Sequence, residues 1–251
     1  MILIESKRKK RENILKKYPD AIIADVTSHA EDDLIKLSPF YPHGGIPVPF
    51  SEGVTATCVE AVWQGLKVFE SADVDMKMFK NESMKNIKRT VRKFGKPLGH
   101  RKGVNGTELL GYIEARKLIY IPTYKWVLEH KVQSIIERLR EASQTKTIVL
   151  LDYNTNCDVY DPKKPLSHAF LIKAYVEGLY PFGDKMWKPQ TIEPKQSGNS
   201  QLLKTAETLR FNFKNDVIEK ILQASDNQLT FEEYLKGLYH QGVIDMDDFS
   251  I

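Results

Sequence analysis

The stretch from Ser38 to Ser71, SPFYPHGGIPVPFSEGVTATCVEAVWQGLKVFES, sets the tightest limits on how this chain can fold. It opens on an aromatic-proline turn, Phe40-Tyr41-Pro42, and continues through Gly44-Gly45-Ile46-Pro47-Val48-Pro49. Proline lacks a donor N–H and glycine is conformationally loose, so this part reads as a loop. Beyond it the apolar period switches to 3.6. Val59, Val62, Trp63, Leu66, Phe69 and Glu70 share one side of the expected helix. Glu60, Gln64, Lys67 and Ser71 form a narrow stripe on the other. That stripe has two readings: the solvated face of an amphipathic helix, or an acid, an amide and an amine in register for a polar small molecule.

Around it the remaining elements fall in order. Residues 6–18 read as a helix capped by Ser6 and ended by Tyr18-Pro19-Asp20. Ala21–Val26 is short and β-branched, a buried strand, with Thr27-Ser28-His29 leaving its end. A basic helix is expected over 83–94, stopped by Gly95 and followed by Pro97. Arg101–Gly106 is a turn-rich basic loop whose glycines leave backbone N–H groups free to meet an anion. Helices are expected from Thr107 to Tyr120 and from Pro122 to about Ala142.

Thr147–Leu151 is the second clear strand, and it ends in Asp152-Tyr153-Asn154-Thr155-Asn156-Cys157-Asp158. Two carboxylates and two amides there read either as a site or as an Asx-turn cluster holding its own backbone. Ser167-His168-Ala169 opens a helix over 170–176, and a helix N-terminus is expected to depress the basicity of His168. From Tyr180 the chain turns Pro- and Gly-rich. Residues 186–200 read as a linker, and 201–251 as a small helical appendage with capping-box spacing at Thr230–Glu233.

Composition bounds the function classes. At 251 residues, 41% hydrophobic and 28% charged, the chain can bury a core and is neither fibrous nor disordered. Cys58 and Cys157 stand far apart, so no cysteine-based zinc site is expected, and no HExxH or H-x3-H pattern occurs. No metal or cofactor is expected. Met1-Ile2-Leu3-Ile4 is too short for a signal segment and no apolar run spans a bilayer, so a cytoplasmic protein without membrane partners is expected. Net charge is only +4, but the cations cluster at Lys7–Lys17 and between Lys77 and Lys102, either as solvated faces or as phosphate-attracting surfaces.

Ser38, Phe40, Tyr41 and Pro42, followed by Val59-Glu60, Gln64 and Lys67, resemble the opening motif of the NADAR (YbiA-like) superfamily, F-S-N-F-Y-P and then V-E-H-x-x-Q-x-x-K-F. The likeness spans roughly residues 21–178 within a domain of about 1–185. It departs at Pro39 for the family asparagine, at Ala61 for the family histidine, and at Leu166-Ser167-His168-Ala169 where a W-G-x-G turn is expected. The resemblance implies a mostly helical α+β fold and cleavage of an N-glycosidic bond in a ribose-phosphate or ADP-ribose adduct, such as ADP-ribosylated guanine or a riboflavin-pathway intermediate.

Under that reading the catalytic residues are Glu60, Lys67, Asp152 and Asp158. Phe40, Tyr41 and Trp63 stack the ligand, Gln64, Asn154, Asn156 and His168 hydrogen-bond it, and Arg101, Lys102 and Arg116 meet phosphate. The partner is a nucleotide or ADP-ribose-type small molecule, carried free or on ADP-ribosylated nucleic acid. Two other classes remain open: a module that holds such a ligand without cutting it, and a nucleic-acid adaptor using the basic surfaces.

Overall fold

A computed structural model describes residues 1–181 and the short strands Asn212–Phe213 and Phe249–Ser250. The chain divides into two units, Met1–Tyr180 and Pro181–Ile251. The second contains the antiparallel pair just named. The expected linker and appendage helices, including Thr230–Glu233, lie outside the described residues. Helix and strand are mixed, with helix in excess, and no described helix is long and apolar enough to cross a membrane.

The first unit is organised on a three-stranded parallel sheet in which β8 (Ile148–Asp152) lies between β1 (Ile2–Ser6) and β2 (Ile22–Asp25). Every residue of β8 is buried, as a continuous aliphatic run between two partners requires. Residues 2–6, of which Ser6 is expected to cap a helix, are a strand. Ser6 pairs with Asp152 at the carboxyl end of the sheet and caps no helix. The first helix, α1 (Arg11–Lys17), starts one turn later than expected, after Lys10. It seals one face by packing Ile14 against Val149 and Leu151.

A second layer follows the Gly/Pro loop. The two-residue strands β3 (Ile46–Pro47) and β4 (Thr55–Ala56) form a hairpin ahead of α2 (Val59–Gly65). The helix does not continue to Ser71. It ends at Gly65, and Lys67–Phe69 becomes β5, paired antiparallel with β6 (Pro97–Arg101). Two forces set that boundary. Gly65 lets the chain pass against the Phe79 ring, where an added Cβ would lie 2.1 Å from a ring carbon. The β-branched and aromatic Val68 and Phe69 then gain cross-strand pairing that a frayed helix end lacks.

The basic helix expected over 83–94 shrinks to α3 (Val91–Phe94), stopped by Gly95 at φ 82°. Thr107–Tyr120 is also not one helix. It consists of β7 (Leu109–Leu110) on the edge of β6, α4 (Tyr112–Ala115), and a π-helical turn at Arg116–Tyr120 that runs directly into α5 (Ile121–His130). The long helix breaks at Lys131-Val132 into α5 and α6 (Gln133–Thr145). Last comes α7 (His168–Val176), with Ser167 as its N-cap: the Ser167 hydroxyl accepts from Phe170 N.

Candidate functional site

The two halves of the opening motif meet at the start of α2. Cys58 caps the helix, its Sγ accepting from Ala61 N at 3.3 Å. Glu60 N donates to Pro39 O at 2.9 Å, which fastens the Ser38–Pro42 turn to the first helical turn. Ser38 Oγ accepts from Phe40 N at 3.3 Å and shapes that turn. Phe40 is half-buried beneath the Lys88 ammonium, 5.7 Å from its ring centre. Tyr41 packs its ring on His43, 4.8 Å between centres.

The polar stripe faces inward. Glu60 is 9% and Gln64 5% exposed, so the solvent-face reading fails. Gln64 Nε2 donates to Glu60 Oε1 at 2.8 Å, and Gln64 Oε1 accepts from Arg89 N at 3.1 Å. The amide is therefore a brace that holds the carboxylate on one side and residues 88–89 on the other. Arg89 lies between the rings of Phe69 and Phe94, at 5.0 and 4.9 Å. It donates to the carbonyls of Gln64, Lys67 and Asp73. As the first residue of β5 rather than a helical one, Lys67 is half-buried and makes no ion pair among the described residues.

Burial and charge push this acid and amine toward their neutral forms. Burial raises the Glu60 carboxyl above its ordinary value, against the opposing pull of Gln64, Lys88 and Lys67. Burial lowers the Lys67 ammonium, Arg89 and Lys88 lower it further, and Glu60 partly compensates. A carboxyl shifted upward and an amine shifted downward move in the directions that acid catalysis and nucleophilic attack use.

An aromatic wall completes the surroundings. Trp63 stacks on His100 at 3.8 Å and meets Tyr112 and Tyr120 edge-on at 5.9 and 5.7 Å. Burial raises the Tyr120 phenol well above its usual range, with the Glu60 and Asp152 carboxylates adding to the effect. Through Tyr120, which ends the π-helical turn, the Glu60 cluster and the end of β8 are electrostatic neighbours.

The second expected constellation is mostly architecture. Asp152 Oδ2 accepts from Ser167 Oγ at 2.7 Å and pairs with His168 Nδ1 at 2.9 Å, while His168 Nε2 faces Val26 O at 2.8 Å. Burial alone would raise the Asp152 carboxyl, but His168, Ser167 and Ala169 N hold it below its usual range. It is poorly suited to giving up a proton. His168 reverses its expectation: burial lowers it, but Asp152 and Val26 O more than offset this and its basicity rises.

Asp158 Oδ1 accepts from Tyr160 N at 2.7 Å, and Asn156 Oδ1 accepts from Asp158 N at 2.9 Å, so these are Asx turns. Asn154 N reaches Asp152 Oδ1 at 3.4 Å. Arg116 is 1% exposed and donates to the carbonyls of Asp158, Val159, Asp161 and Lys164, which leaves no part of it for phosphate. Arg101 grips Asp73 through Nε and Nη2 at 3.0 and 2.7 Å, and Lys102 pairs with Glu108 at 2.7 Å.

Two surface recesses lie elsewhere. One of about 270 Å³ is lined by Lys7, Lys9, Arg11, Ile14, Ile23, Asp25 and Leu151. The other, about 300 Å³, is rimmed by Asp73, Arg101 and Asn105. Of the expected residues, the structure thus gathers Phe40, Glu60, Trp63, Gln64 and Lys67, and sets Asp158, Asn156, Arg116, Arg101 and Lys102 to other tasks. Sequence reasoning missed Lys88, Arg89, His100 and Tyr120 at this place. The first two carried a signal in the basic run, and the last two carried none without the β5–β6 pairing.

No curated protein and no solved structure matches the chain. A family model does, over residues 6–172, which takes in β2, β8, the Glu60 cluster and the first half of α7; the chain belongs to that family, described as a family of unknown function (DUF6939).

Proposed function

We propose that this chain is a hydrolase of N-glycosidic bonds, with a NADAR-like fold and a ligand that is a ribose phosphate or ADP-ribose adduct of a base. The observation that supports the reading is the buried Glu60–Gln64–Lys67 cluster. The aromatic-proline turn is fastened to it by a backbone hydrogen bond, and its carboxyl and amine are displaced in opposite directions toward neutrality.

Loss of a base from C1′ of ribose leaves an oxocarbenium-like centre. Glu60, whose protonated form burial favours, delivers its proton to the leaving nitrogen as the C1′–N bond breaks, and its carboxylate then takes a proton from the water that bonds to C1′. Lys67 stands where a neutral amine can take the place of water. Its Nζ bonds to C1′ as the base departs, the sugar ring opens to an imine, and water hydrolyses the imine to return the amine and the free sugar.

The test is release of guanosine and ADP-ribose from ADP-ribosylated guanosine, read by chromatography for the parent chain, Glu60→Gln and Lys67→Ala. Both substitutions are expected to slow release at least a hundredfold; release at the parent rate by both variants overturns the assignment. Borohydride separates the two routes: a reduced adduct on Lys67 marks the imine, and its absence during turnover leaves water as the nucleophile.

One observation favours a second reading, a module that binds such a ligand without cutting it. Asp152 and Asp158 are committed to His168, Ser167 and backbone N–H groups, so Glu60 is the one carboxylate among the expected four catalytic residues left at the cluster. A thermal shift with ADP-ribose and no freed base from any adduct supports that reading.

A further inference from the structure

His100 is the most anomalous polar side chain in the described part of the molecule. It is 2% exposed, and neither Nδ1 nor Nε2 finds a hydrogen-bond partner among the described residues. Buried polar atoms are almost always satisfied, and a buried ring with both nitrogens unpaired bears a desolvation cost at each. Three other histidines behave differently: His43 holds Lys36 O, His130 holds Trp126 O, and His168 holds both Asp152 and Val26 O.

The position of His100 is specific. It is the cross-strand partner of Lys67 in the β5–β6 pair, and its ring packs against Trp63, 3.8 Å between centres and tilted by 36°. Glu60 lies one helical turn from Trp63 on α2, and both Glu60 and Trp63 act on Tyr120. His100 therefore closes a circuit: Glu60, Lys67, His100, Trp63 and Tyr120.

Resting on the reading of this cluster as a nucleotide-sugar site, we propose that His100 is a ligand-binding residue that hydrogen-bonds a hydroxyl of the ligand's sugar. The chemistry selects that group. Burial and the Lys67 charge hold the imidazole at a pKa of about 3, so near neutral pH it offers one N–H donor and one bare acceptor nitrogen. A hydroxyl both donates and accepts, so it can meet either nitrogen; an oxyanion has only acceptors and can meet only the N–H. The Trp63, Tyr112 and Tyr120 rings provide apolar faces for the C–H surface of a sugar, and Lys67 a second donor.

Two probes differ in the terminal sugar: ADP-ribose carries it and ADP does not. Calorimetry on the parent chain is expected to show tighter binding of ADP-ribose, by about tenfold, the factor equivalent to one hydrogen-bonded group. His100→Phe keeps the ring stacked on Trp63 and removes both nitrogens, and it is expected to abolish that preference while leaving ADP binding unchanged. Should the variant not fold, nitrogen-15 spectra of the parent chain decide: His100 ring signals are expected to move with ADP-ribose and stay still with ADP. Equal affinity for the two probes, a preference that survives in His100→Phe, or unmoved ring signals overturns the assignment while the nucleotide-site reading stands. Binding of neither probe overturns both.

Discussion

The sharpest test of the fold's energetics is Asp152→Asn. Asp152 is 5% and His168 8% exposed, and both nitrogens of His168 face acceptors, Asp152 Oδ2 and Val26 O. The ring satisfies both only when it carries both protons, so the pair is a buried imidazolium–carboxylate tied into the N-cap of α7 through Ser167. Asparagine keeps the shape and removes the charge. Breaking a buried pair from one side is destabilising by about 3–5 kcal/mol. The neutral imidazole limits the damage by shedding a proton, but then leaves one acceptor without a donor, at about 1–3 kcal/mol. A loss of about 3 kcal/mol at pH 6 is expected, equivalent to roughly 6–12 °C in Tm for a chain of this size.

The pH dependence has a definite sign. His168 has a raised pKa in the folded chain, so its contribution is whole below 6.5 and fades as pH rises through the folded value. Asp152 has a lowered one, so its contribution is present above 3.8 and fades as pH falls through its folded value. The deficit of Asp152→Asn, read from urea unfolding followed by tryptophan fluorescence, is therefore expected to be largest between about pH 4 and 6.5 and to shrink toward pH 9. A deficit under about 1 kcal/mol at pH 6, or one that grows with pH, refutes the buried imidazolium. An unchanged stability with base release abolished would instead make Asp152 the acid that its place after a strand suggests.

Three further outcomes follow from the geometry. Arg116→Lys cannot span the carbonyls of Asp158, Val159, Asp161 and Lys164 with one ammonium; a loss of about 2–4 kcal/mol and faster proteolysis within 158–164 are expected. Gly65→Ala should gain about 1 kcal/mol by helix propensity, yet its Cβ would meet the Phe79 ring at 2.1 Å, so overpacking wins and a net loss of about 1–3 kcal/mol is expected by denaturant melt. A thiol reagent should label exposed Cys157 in the native chain and Cys58 only after unfolding, because Cys58 is buried and burial pushes its thiol up to about 11.

What the sequence shows and what it hides divide along the range of the forces involved. Ile22–Asp25 and Ile148–Asp152 are legible because a buried strand needs an unbroken β-branched or aliphatic run, and so is the Ser167 cap, a local signal. Ile2–Ser6 is not legible: a short apolar start followed by Lys and Arg becomes a strand only because β8 offers a parallel partner more than a hundred residues away. Lys67 fails for the same reason. Helical periodicity runs unbroken through Phe69, and the approach of Gly65 to Phe79 together with the pairing to Pro97–Arg101 ends it. Within the site, Glu60 and Gln64 are placed correctly as neighbours one turn apart, but periodicity cannot tell an inward polar stripe from an outward one. The basic run between Lys77 and Lys102 reads either as a solvated face or as a phosphate-attracting surface, and within it Arg89 is instead 7% exposed between two phenylalanine rings.

The change of Lys67 from helix to strand alters the chemistry more than the fold. On a continued α2 its amine would sit one turn past Gln64 along a single ridge, and nothing from Pro97–Arg101 would need to approach it. As the first residue of β5 it is opposite His100, and Arg89 closes on its carbonyl. The amine then belongs to two elements at once, α2 through Glu60 and the β5–β6–β7 sheet through His100. A lysine meeting only water would keep its charge. Here burial, Arg89 and Lys88 favour its neutral form and the Glu60 carboxyl opposes them, so under the proposed function a bound anion would favour the ammonium and a neutral sugar would add no such pull.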